Sequence, residues 1–514
     1  MMHRLASAIA ASFAALAVPG PAALAAQVPT DLLPTSANQG EIARILADKA
    51  GGDLRDFYSR RGYWPLWIEN GQLSQAAYQL VPMLETAQLD GLRARDYDAE
   101  ELTRLAAQAR SGDPAALAKA ELAFSRAFAR YVTDLRQPSV EMNYFSELAK
   151  PQTGDASEIL RRAALSTDFT GYIARMGWMS PHYVRLRAAL AEGSGDVALP
   201  VVSHGPTLRQ GDRGLRVVQL RRRLGLLESD IFDGVLYHAV QDFQRQRGLT
   251  PDGVVGPQTV SAMNHRRGHD TAALQRNIQR LRALPGPYEK HVVVNAATQE
   301  LVYYDEGREQ GRMKVVVGTP DTPTPMMAGV LAYATLNPYW NVPVSLVQKR
   351  IAPAVARGNS LDAMGYEVLS DWTADAQVLD WRSVDWKAAA RGETQLRVRE
   401  LPGSGNAMGD VKFMFPNDMG IFLHDTDGKH LFRKRDRFFS NGCVRLEAPR
   451  ELGAFLFGKP MPAPSSDQPE QHVPLPRPVP VFITYLTAEP AGDGGIAYHD
   501  DRYGWDRGPL MARR

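Results

Sequence analysis

The hydrophobic pattern of the chain changes near residue 288, and this change divides it into helical and strand-rich parts. Before that point, apolar residues recur at helical spacing, as in the segment with Asp113 as N-cap and Pro114 in the first turn. Asp98, followed three residues later by Glu101, has the spacing of a capping box. After residue 288, short apolar runs separated by polar turns predict strands. We therefore predict a multidomain α+β protein.

A chain of 514 residues has room for roughly three or four domains. We predict a helical scaffold domain over 40–200, a small three-helix module over 205–268 and a mainly β domain over 288–490. A polar and helical insertion at about 345–405 interrupts the β domain and is of the kind that often forms a lid. A proline-rich loop over 460–480 precedes the last predicted strand. Residues 491–514 are a C-terminal tail.

The first 25 residues have the pattern of a secretory signal peptide. His3 and Arg4 precede an apolar run from about Leu5 to Val18, and Ala23-Leu24-Ala25 offers a small-x-small cleavage site. The run is shorter than the roughly 20 residues that a membrane span needs, although an uncleaved anchor is the alternative. We expect an exported protein of the periplasm or cell envelope, without a transmembrane span after cleavage.

Charge and residue spacing argue against several classes of function. The formal net charge is +2, from 59 Lys and Arg against 57 Asp and Glu, so no basic field indicates nucleic acid as a partner. No spacing of His, Cys, Asp and Glu suggests a metal site, and no motif suggests a cofactor. We therefore expect neither.

Cys443 is the only cysteine in the chain, so no disulfide framework is available within it. A lone thiol in an oxidising compartment is either a liability or a reactive group, and a buried inert thiol is the alternative. His424 ends a predicted strand 19 residues earlier and is the preferred base, ahead of His430 in a polar loop. Gly442 permits a tight turn whose N–H groups could face an oxyanion. These residues alone are a weak signal.

The stretch FLHDTDGKHLFRKRDRFFSNGCVRLEAP (422–449) resembles the signature of L,D-transpeptidases with a YkuD-type catalytic domain. It has a strand-end histidine followed by Ser-x-Gly-Cys-x-Arg. NPYWNVP (337–343) and VKFMFPN (411–417) are similar to segments of the large branch of this family. Members often have His before the Gly-Cys pair, where this chain has Asn441, so the role of base falls on His424. The unit at 205–268 resembles a peptidoglycan-binding module, with a structural spacer as the alternative.

The resemblance implies a two-step acyl transfer without a cofactor. Cys443 would attack a tetrapeptide stem of peptidoglycan at position 3 and form a thioester, which the amine of a second stem resolves to give a 3→3 cross-link. His424 would be the base, and the N–H groups of Gly442 and Cys443 would form the oxyanion hole. The same fold acting as a hydrolase or attaching proteins to the wall is one alternative, and a non-catalytic wall-binding protein is another. Peptidoglycan is the expected partner, with other cell-wall enzymes or envelope proteins as further candidates.

Four residues are candidates for substrate binding. The guanidinium of Arg445 could bind a stem carboxylate through two hydrogen bonds, and the alternative is that it holds the cysteine loop in place. Ser440 could touch substrate, although fixing that loop is the more common role of such a serine. Phe422 precedes His424 by two residues, so we expect it on the same strand face and near the substrate. Trp340 could line the groove or simply pack in the core.

Overall fold

The computed structural model describes residues 37–507 except 138–139, 141, 152–153, 195–201, 204, 225, 227–228, 247–248, 265–270, 287, 404, 466–467 and 492–494. The predicted signal peptide and the last part of the predicted tail lie outside the described residues. No helix of the described part is long and apolar enough to cross a membrane.

The first region is helical, as predicted. Its helices are α1 (Ala37–Lys49), α2 (Gly52–Arg60), α3 (Gln75–Glu85), α4 (Ala99–Ala109), α5 (Pro114–Leu135), α6 (Ala156–Ala164), α7 (Phe169–Ala174) and α8 (Pro181–Ser194). Its short strands are β1 (Ile68–Glu69), β2 (Gln72–Leu73) and β3 (Asn143–Tyr144). The Asp113 carboxylate accepts the N–H of Ala116 at 2.8 Å, which confirms the predicted N-cap of α5.

The capping box predicted at Asp98 is wrong. Asp98 adopts a left-handed conformation with φ +49°, and its side chain caps no N–H of α4. Glu101 instead pairs with Arg104 one turn further along the helix. The spacing of Asp98 and Glu101 fits a capping box, but an N-cap residue normally has an extended backbone, and that of Asp98 is left-handed.

The next unit has its own small core. Its helices are α9 (Leu215–Arg223), α10 (Gly234–Gln246) and α11 (Pro257–Asn264). Two isolated bridges, Leu208 to Val255 and Arg213 to Ile231, hold the connecting turns together. In the described part of the chain, the hydrophobic cluster that contains Phe232 is formed by residues of this unit alone. This is expected for a compact three-helix module. A further helix, α12 (Thr271–Arg282), leads into the last region.

The last region is built on a closed ring of strands. Its strands are β4 (His291–Asn295), β5 (Glu300–Asp305), β6 (Arg308–Gly318), β7 (Met327–Leu336), β12 (Val411–Met414), β13 (Leu423–His424), β14 (Phe438–Ser440), β15 (Val444–Leu446) and β16 (Gln471–Thr484). The order is β12-β13-β15-β6-β5-β4-β16-β7, and β12 also pairs with β7, which closes the ring. β14 pairs with β6 outside this path. The remaining elements are α16 (Pro449–Phe457), β17 (Ala488–Pro490) and β18 (Ile496–Tyr498).

The interruption between β7 and β12 is a separate four-stranded sheet. Its elements are β8 (Trp340–Asn341), α13 (Val344–Leu346), α14 (Ala352–Ala356), β9 (Tyr366–Leu369), β10 (Val378–Leu379), α15 (Trp386–Ala390) and β11 (Arg397–Glu400). The strand order is β10-β9-β11-β8, and the sheet packs on its own hydrophobic core. This segment was expected to be helical and polar, and its strands are too short to produce a clear alternating pattern.

The helical region and the strand ring share one hydrophobic core. Side chains of α5, α8 and α12 pack with Val293, Ala328 and Phe482 of the ring in a single cluster. β3, which follows α5, also pairs in parallel with β7 at Asn143 and Met327. The interior of the ring forms a second cluster. The helices therefore support one side of the β domain. The prediction of a multidomain α+β chain is confirmed.

Candidate active site

Two neighbouring parallel strands bring the predicted residues together. β13 pairs with β15 so that His424 lies opposite Arg445 and Leu423 lies opposite Val444. The N–H of Val444 donates to the carbonyl of Phe422 at 3.0 Å, which extends the pairing by one residue. Because side chains alternate along strands, Leu423 and Val444 point into the buried core. Phe422, His424, Cys443 and Arg445 therefore share the opposite face.

His424 is held as a neutral imidazole with a defined tautomer. Its side chain is buried, and ring Nδ1 lies within hydrogen-bond distance of the Asp425 carbonyl. A carbonyl can only accept, so Nδ1 carries the proton and Nε2 is left as an acceptor. Burial, together with the nearby Arg445 cation, lowers the pKa of His424 to about 3.

Lys412 supports the same state of His424 from the other side. It lies opposite His424 in the antiparallel pair of β12 and β13, so His424 sits between Lys412 and Arg445 in one row across three strands. The Lys412 charge also lowers the pKa of His424. Lys412 is itself buried and pairs with Glu470 at 3.0 Å. The sequence analysis missed this residue, because pairing between distant strands leaves no local signal.

The turn before Cys443 is fixed by hydrogen bonds. The Ser440 hydroxyl donates to the Cys443 carbonyl at 2.6 Å and accepts the Gly442 N–H at 3.1 Å. Thr324 donates to the Gly442 carbonyl at 2.8 Å. Gly442 has φ +116°, and a Cβ there would lie 3.0 Å from Cδ1 of Ile421. This position therefore requires glycine.

These contacts change two expectations. The Gly442 N–H donates to Ser440, so it is not directed at an oxyanion in this structure, contrary to the role given to it from sequence. Among the described residues, no acceptor is found for the Cys443 N–H. Ser440 is 2% exposed and both hydrogen bonds of its hydroxyl are internal to the loop, so its position corresponds to the loop-fixing alternative.

Cys443 is half-buried, and its Sγ lies 3.5 Å from the Gly420 carbonyl. Burial raises the pKa of the Cys443 thiol, while the Phe422 N–H and the Arg445 charge partly offset this effect. The sulfur is therefore mainly a thiol at neutral pH, and it needs a base to become nucleophilic.

Arg445 has unused hydrogen-bonding capacity beside the sulfur. Its Nε is buried without a partner, and no carboxylate within the described residues forms an ion pair with it. Burial lowers the pKa of Arg445, and the more distant Asp427 charge opposes this shift. A guanidinium in this state can accept an anionic ligand.

Other candidates lie apart from this face. Trp340 belongs to β8 of the inserted sheet, where it pairs with Glu400 and packs against the core of that sheet. This placement corresponds to its packing alternative. His430 is exposed in the loop after β13. Tyr503, which the sequence did not single out, donates to the Gly318 carbonyl at 2.8 Å and accepts from Thr324, so it helps to hold the turn.

No group of three or more His, Cys, Asp and Glu side chains in the described part of the chain is placed to hold a metal ion. The groups that converge at Cys443 are a thiol, a neutral imidazole and a guanidinium. This set can carry out nucleophilic acyl transfer.

Three regions of the chain match known family models. Residues 289–456 match the model described as "L,D-transpeptidase catalytic domain", of the YkuD family. Residues 214–263 match "Putative peptidoglycan binding domain", and residues 52–190 match "Scaffold domain". The chain thus carries a YkuD-type L,D-transpeptidase catalytic domain and a peptidoglycan-binding domain, which confirms the resemblance identified from sequence.

Individual proteins that are similar to this chain include one relative and two solved structures. A protein of Haemophilus influenzae named "Putative L,D-transpeptidase" is 32% identical over 244 residues, which are 46% of this chain and 48% of that protein. The match thus spans about half the length of that relative. A solved L,D-transpeptidase from Xylanimonas cellulosilytica is 16% identical, with 55% of this chain and 98% of that chain covered at a TM-score of 0.17. One from Mycobacterium smegmatis is 11% identical, with 38% and 58% covered at a TM-score of 0.19. These two scores carry no argument about the fold.

Proposed function

We propose that this chain is an L,D-transpeptidase that forms 3→3 cross-links in peptidoglycan through a thioester on Cys443. The observation that carries the proposal is the shared strand face, on which the Cys443 thiol lies diagonally across from His424. The imidazole has the tautomer that a base needs, because Nδ1–H is bound to the Asp425 carbonyl and Nε2 is available.

In the first step, the Cys443 proton passes to Nε2 of His424 while the sulfur attacks the carbonyl at position 3 of a tetrapeptide stem. The bond from that carbonyl to the nitrogen of the terminal D-Ala then breaks, and His424 returns the proton to the leaving amine. In the second step, the side-chain amine of another stem attacks the thioester, the C–S bond breaks, and the sulfur regains a proton through His424. The Cys443 N–H is our candidate donor to the oxyanion.

The neighbours of Cys443 divide into binding and positioning groups in this proposal. Arg445 binds a stem carboxylate, which is supported by the absence of an ion pair between its guanidinium and any carboxylate of the described residues. Phe422 lies on the same face and lines the substrate path. Ser440 and Gly442 position the sulfur through the hydrogen-bonded turn, without touching the reacting atoms.

The remaining assignments follow from the wall-acting domains. We propose that the unit at 205–268 binds peptidoglycan and that the chain is exported to the periplasm or cell envelope after cleavage of residues 1–25. Cell fractionation with a C-terminal tag tests the location. A cytoplasmic pool of uncleaved protein as the main species would contradict it.

Analysis of wall fragments tests the proposed reaction. Purified protein is incubated with isolated peptidoglycan, the glycan is digested with a muramidase, and the fragments are identified by mass spectrometry. We expect dimers joined between two position-3 residues and released D-Ala, with neither product from Cys443→Ala. Accumulation of free tripeptide without such dimers would instead indicate a hydrolase, and stems carrying a protein fragment would indicate attachment of proteins to the wall.

A further inference from the structure

A cavity of about 520 Å³ lies between the scaffold helices and the segment that leads into β4, and Cys443 is not among its lining residues. Its walls come from α5, α6 and α7, the residues after α7, and Gly286, Tyr288 and Glu289. Its volume falls in the range of pockets that bind small ligands. It is not part of the site described above.

Arg136 lines this cavity and forms no ion pair within the described residues, and the main opposing charge acting on it is Glu289 in the same lining. The residue is 6% exposed, and its Nη1 donates to the Leu284 carbonyl at 3.0 Å. Among the described residues, neither its Nε nor its Nη2 has an acceptor, and no carboxylate lies within ion-pair distance. Burial lowers the pKa of Arg136, and the Glu289 charge opposes this shift without forming a hydrogen-bonded pair. A ligand carboxylate reaching the guanidinium would supply a close partner.

The same wall holds an aromatic surface. Trp178 lines the cavity and is 8% exposed. Its ring lies 5.6 Å from that of Tyr172, and Tyr288 is 70% exposed at the mouth. The ligand must therefore offer an acceptor for Arg136 together with an apolar body that packs on these rings.

Two carboxylates at the same cavity limit the ligand further. Glu158 is paired with Arg162 at 2.6 Å, whereas Glu289 forms no ion pair within the described residues. A purely anionic ligand would meet the Glu289 charge. A ligand that carries an ammonium as well as a carboxylate satisfies both Glu289 and Arg136.

We propose that this cavity is a second binding site for the peptide stems of peptidoglycan, with a free carboxylate at Arg136, a free ammonium at Glu289 and small apolar side chains against Tyr172 and Trp178. A tetrapeptide stem with a diamino acid at position 3 carries both charges. The choice of this peptide rests on the proposed function of the catalytic domain. The site would hold a stem on the scaffold, apart from the reacting sulfur.

Photo-cross-linking tests the site directly. The probe is a synthetic tetrapeptide with lysine at position 3, D-Ala at position 4 and a photoreactive diazirine at position 1. It is irradiated with the full chain carrying Cys443→Ala, and the labelled segments are identified by mass spectrometry. We expect label on 154–178 and 286–289, reduced at least tenfold when the C-terminus is amidated or the lysine amine is acetylated. Label confined to 420–445, or scaffold label that both modified probes retain, would overturn the proposal.

Matched variants separate this site from the catalytic one. We expect Tyr288→Ala to reduce scaffold labelling at least fivefold, and Tyr78→Ala, which removes an exposed tyrosine outside the cavity, to leave it unchanged. Arg136→Lys keeps the positive charge but removes the guanidinium that can donate two parallel hydrogen bonds to a carboxylate. It should also weaken scaffold labelling while retaining the melting temperature. Acylation of Cys443 by a carbapenem, measured in the Tyr288→Ala protein with Cys443 intact, should match wild type. Equal scaffold labelling of the Tyr288→Ala and Tyr78→Ala proteins would overturn the proposal of a second site. Absence of Cys443 acylation in the wild-type protein would count only against the proposed function.

Discussion

Ser440→Ala removes two of the hydrogen bonds that shape the turn before Cys443. The Ser440 hydroxyl is buried, donates to the Cys443 carbonyl at 2.6 Å and accepts the Gly442 N–H at 3.1 Å. Each lost hydrogen bond costs roughly 0.5–1.5 kcal/mol, and a buried donor left without a partner costs about 1–3 kcal/mol. Because Gly442 is buried and its N–H would lose its acceptor, we expect a loss of about 2–4 kcal/mol in the free energy of unfolding.

The matched control is Ser74→Ala. Ser74 is also buried, at 4% exposure, but its hydroxyl has no hydrogen-bond partner. Removing it should change the free energy of unfolding by less than about 0.5 kcal/mol, or stabilise the protein. Denaturant unfolding gives both values, and mass spectrometry gives the rate at which a carbapenem acylates Cys443. We expect slower acylation only in Ser440→Ala.

This pair of variants separates positioning from substrate binding. If Ser440 contacts substrate instead of shaping the turn, its variant should keep wild-type stability and show only a higher KM. Equal unfolding free energies and equal acylation rates for Ser440→Ala and wild type would refute the reasoning about the turn.

Three further predictions concern the same strand face. Gly442→Ala should cost about 1–3 kcal/mol of stability and strongly slow acylation, because φ is +116° and Ile421 lies against the new Cβ. The control is Gly458→Ala, where φ is +66° and no atom lies near the new Cβ. It should lower stability without slowing acylation. Arg445→Gln should raise KM for a carboxylate-terminated donor at least tenfold and leave a C-terminally amidated donor unaffected; equal effects on both would contradict the carboxylate role. The pKa of His424 is about 3 when folded and about 6.5 when unfolded, so the unfolded chain binds more protons between these values and stability should fall as pH drops from about 6.5 towards 3. Urea unfolding at several pH values should show a shallower fall in His424→Gln, and identical slopes would contradict the assignment.

Local sequence signals predicted parts of the fold well. The N-cap at Asp113 and the three helices of the small module follow from residues close together in the chain. The proline-rich segment 460–480 was predicted as a loop, yet β16 begins at Gln471. From Gln471 to Pro474 it pairs with β7, and pairing resumes at Val479 after an irregularity, while β4 joins only from Val481. Prolines are tolerated at such an edge because no strand needs their missing N–H.

The candidate site was predictable only where one strand or one turn determines it. The two-residue spacing of Phe422 and His424 indicated a shared face, and the strand pairing agrees with that placement. The position of Lys412 beside His424 depends on pairing between separate strands, which no local pattern specifies. The use of the Gly442 N–H by Ser440 likewise depends on a turn geometry that residue types alone do not determine.

The most direct test of the account is to trap the acyl intermediate. The protein is mixed with a synthetic tetrapeptide donor, quenched in acid within milliseconds to seconds and digested for mass spectrometry. We predict a thioester-linked tripeptide on the fragment that contains Cys443, formed together with free D-Ala and discharged when an amine acceptor is added. Cross-linked product formed without this adduct, or by Cys443→Ala at the wild-type rate, would contradict the account.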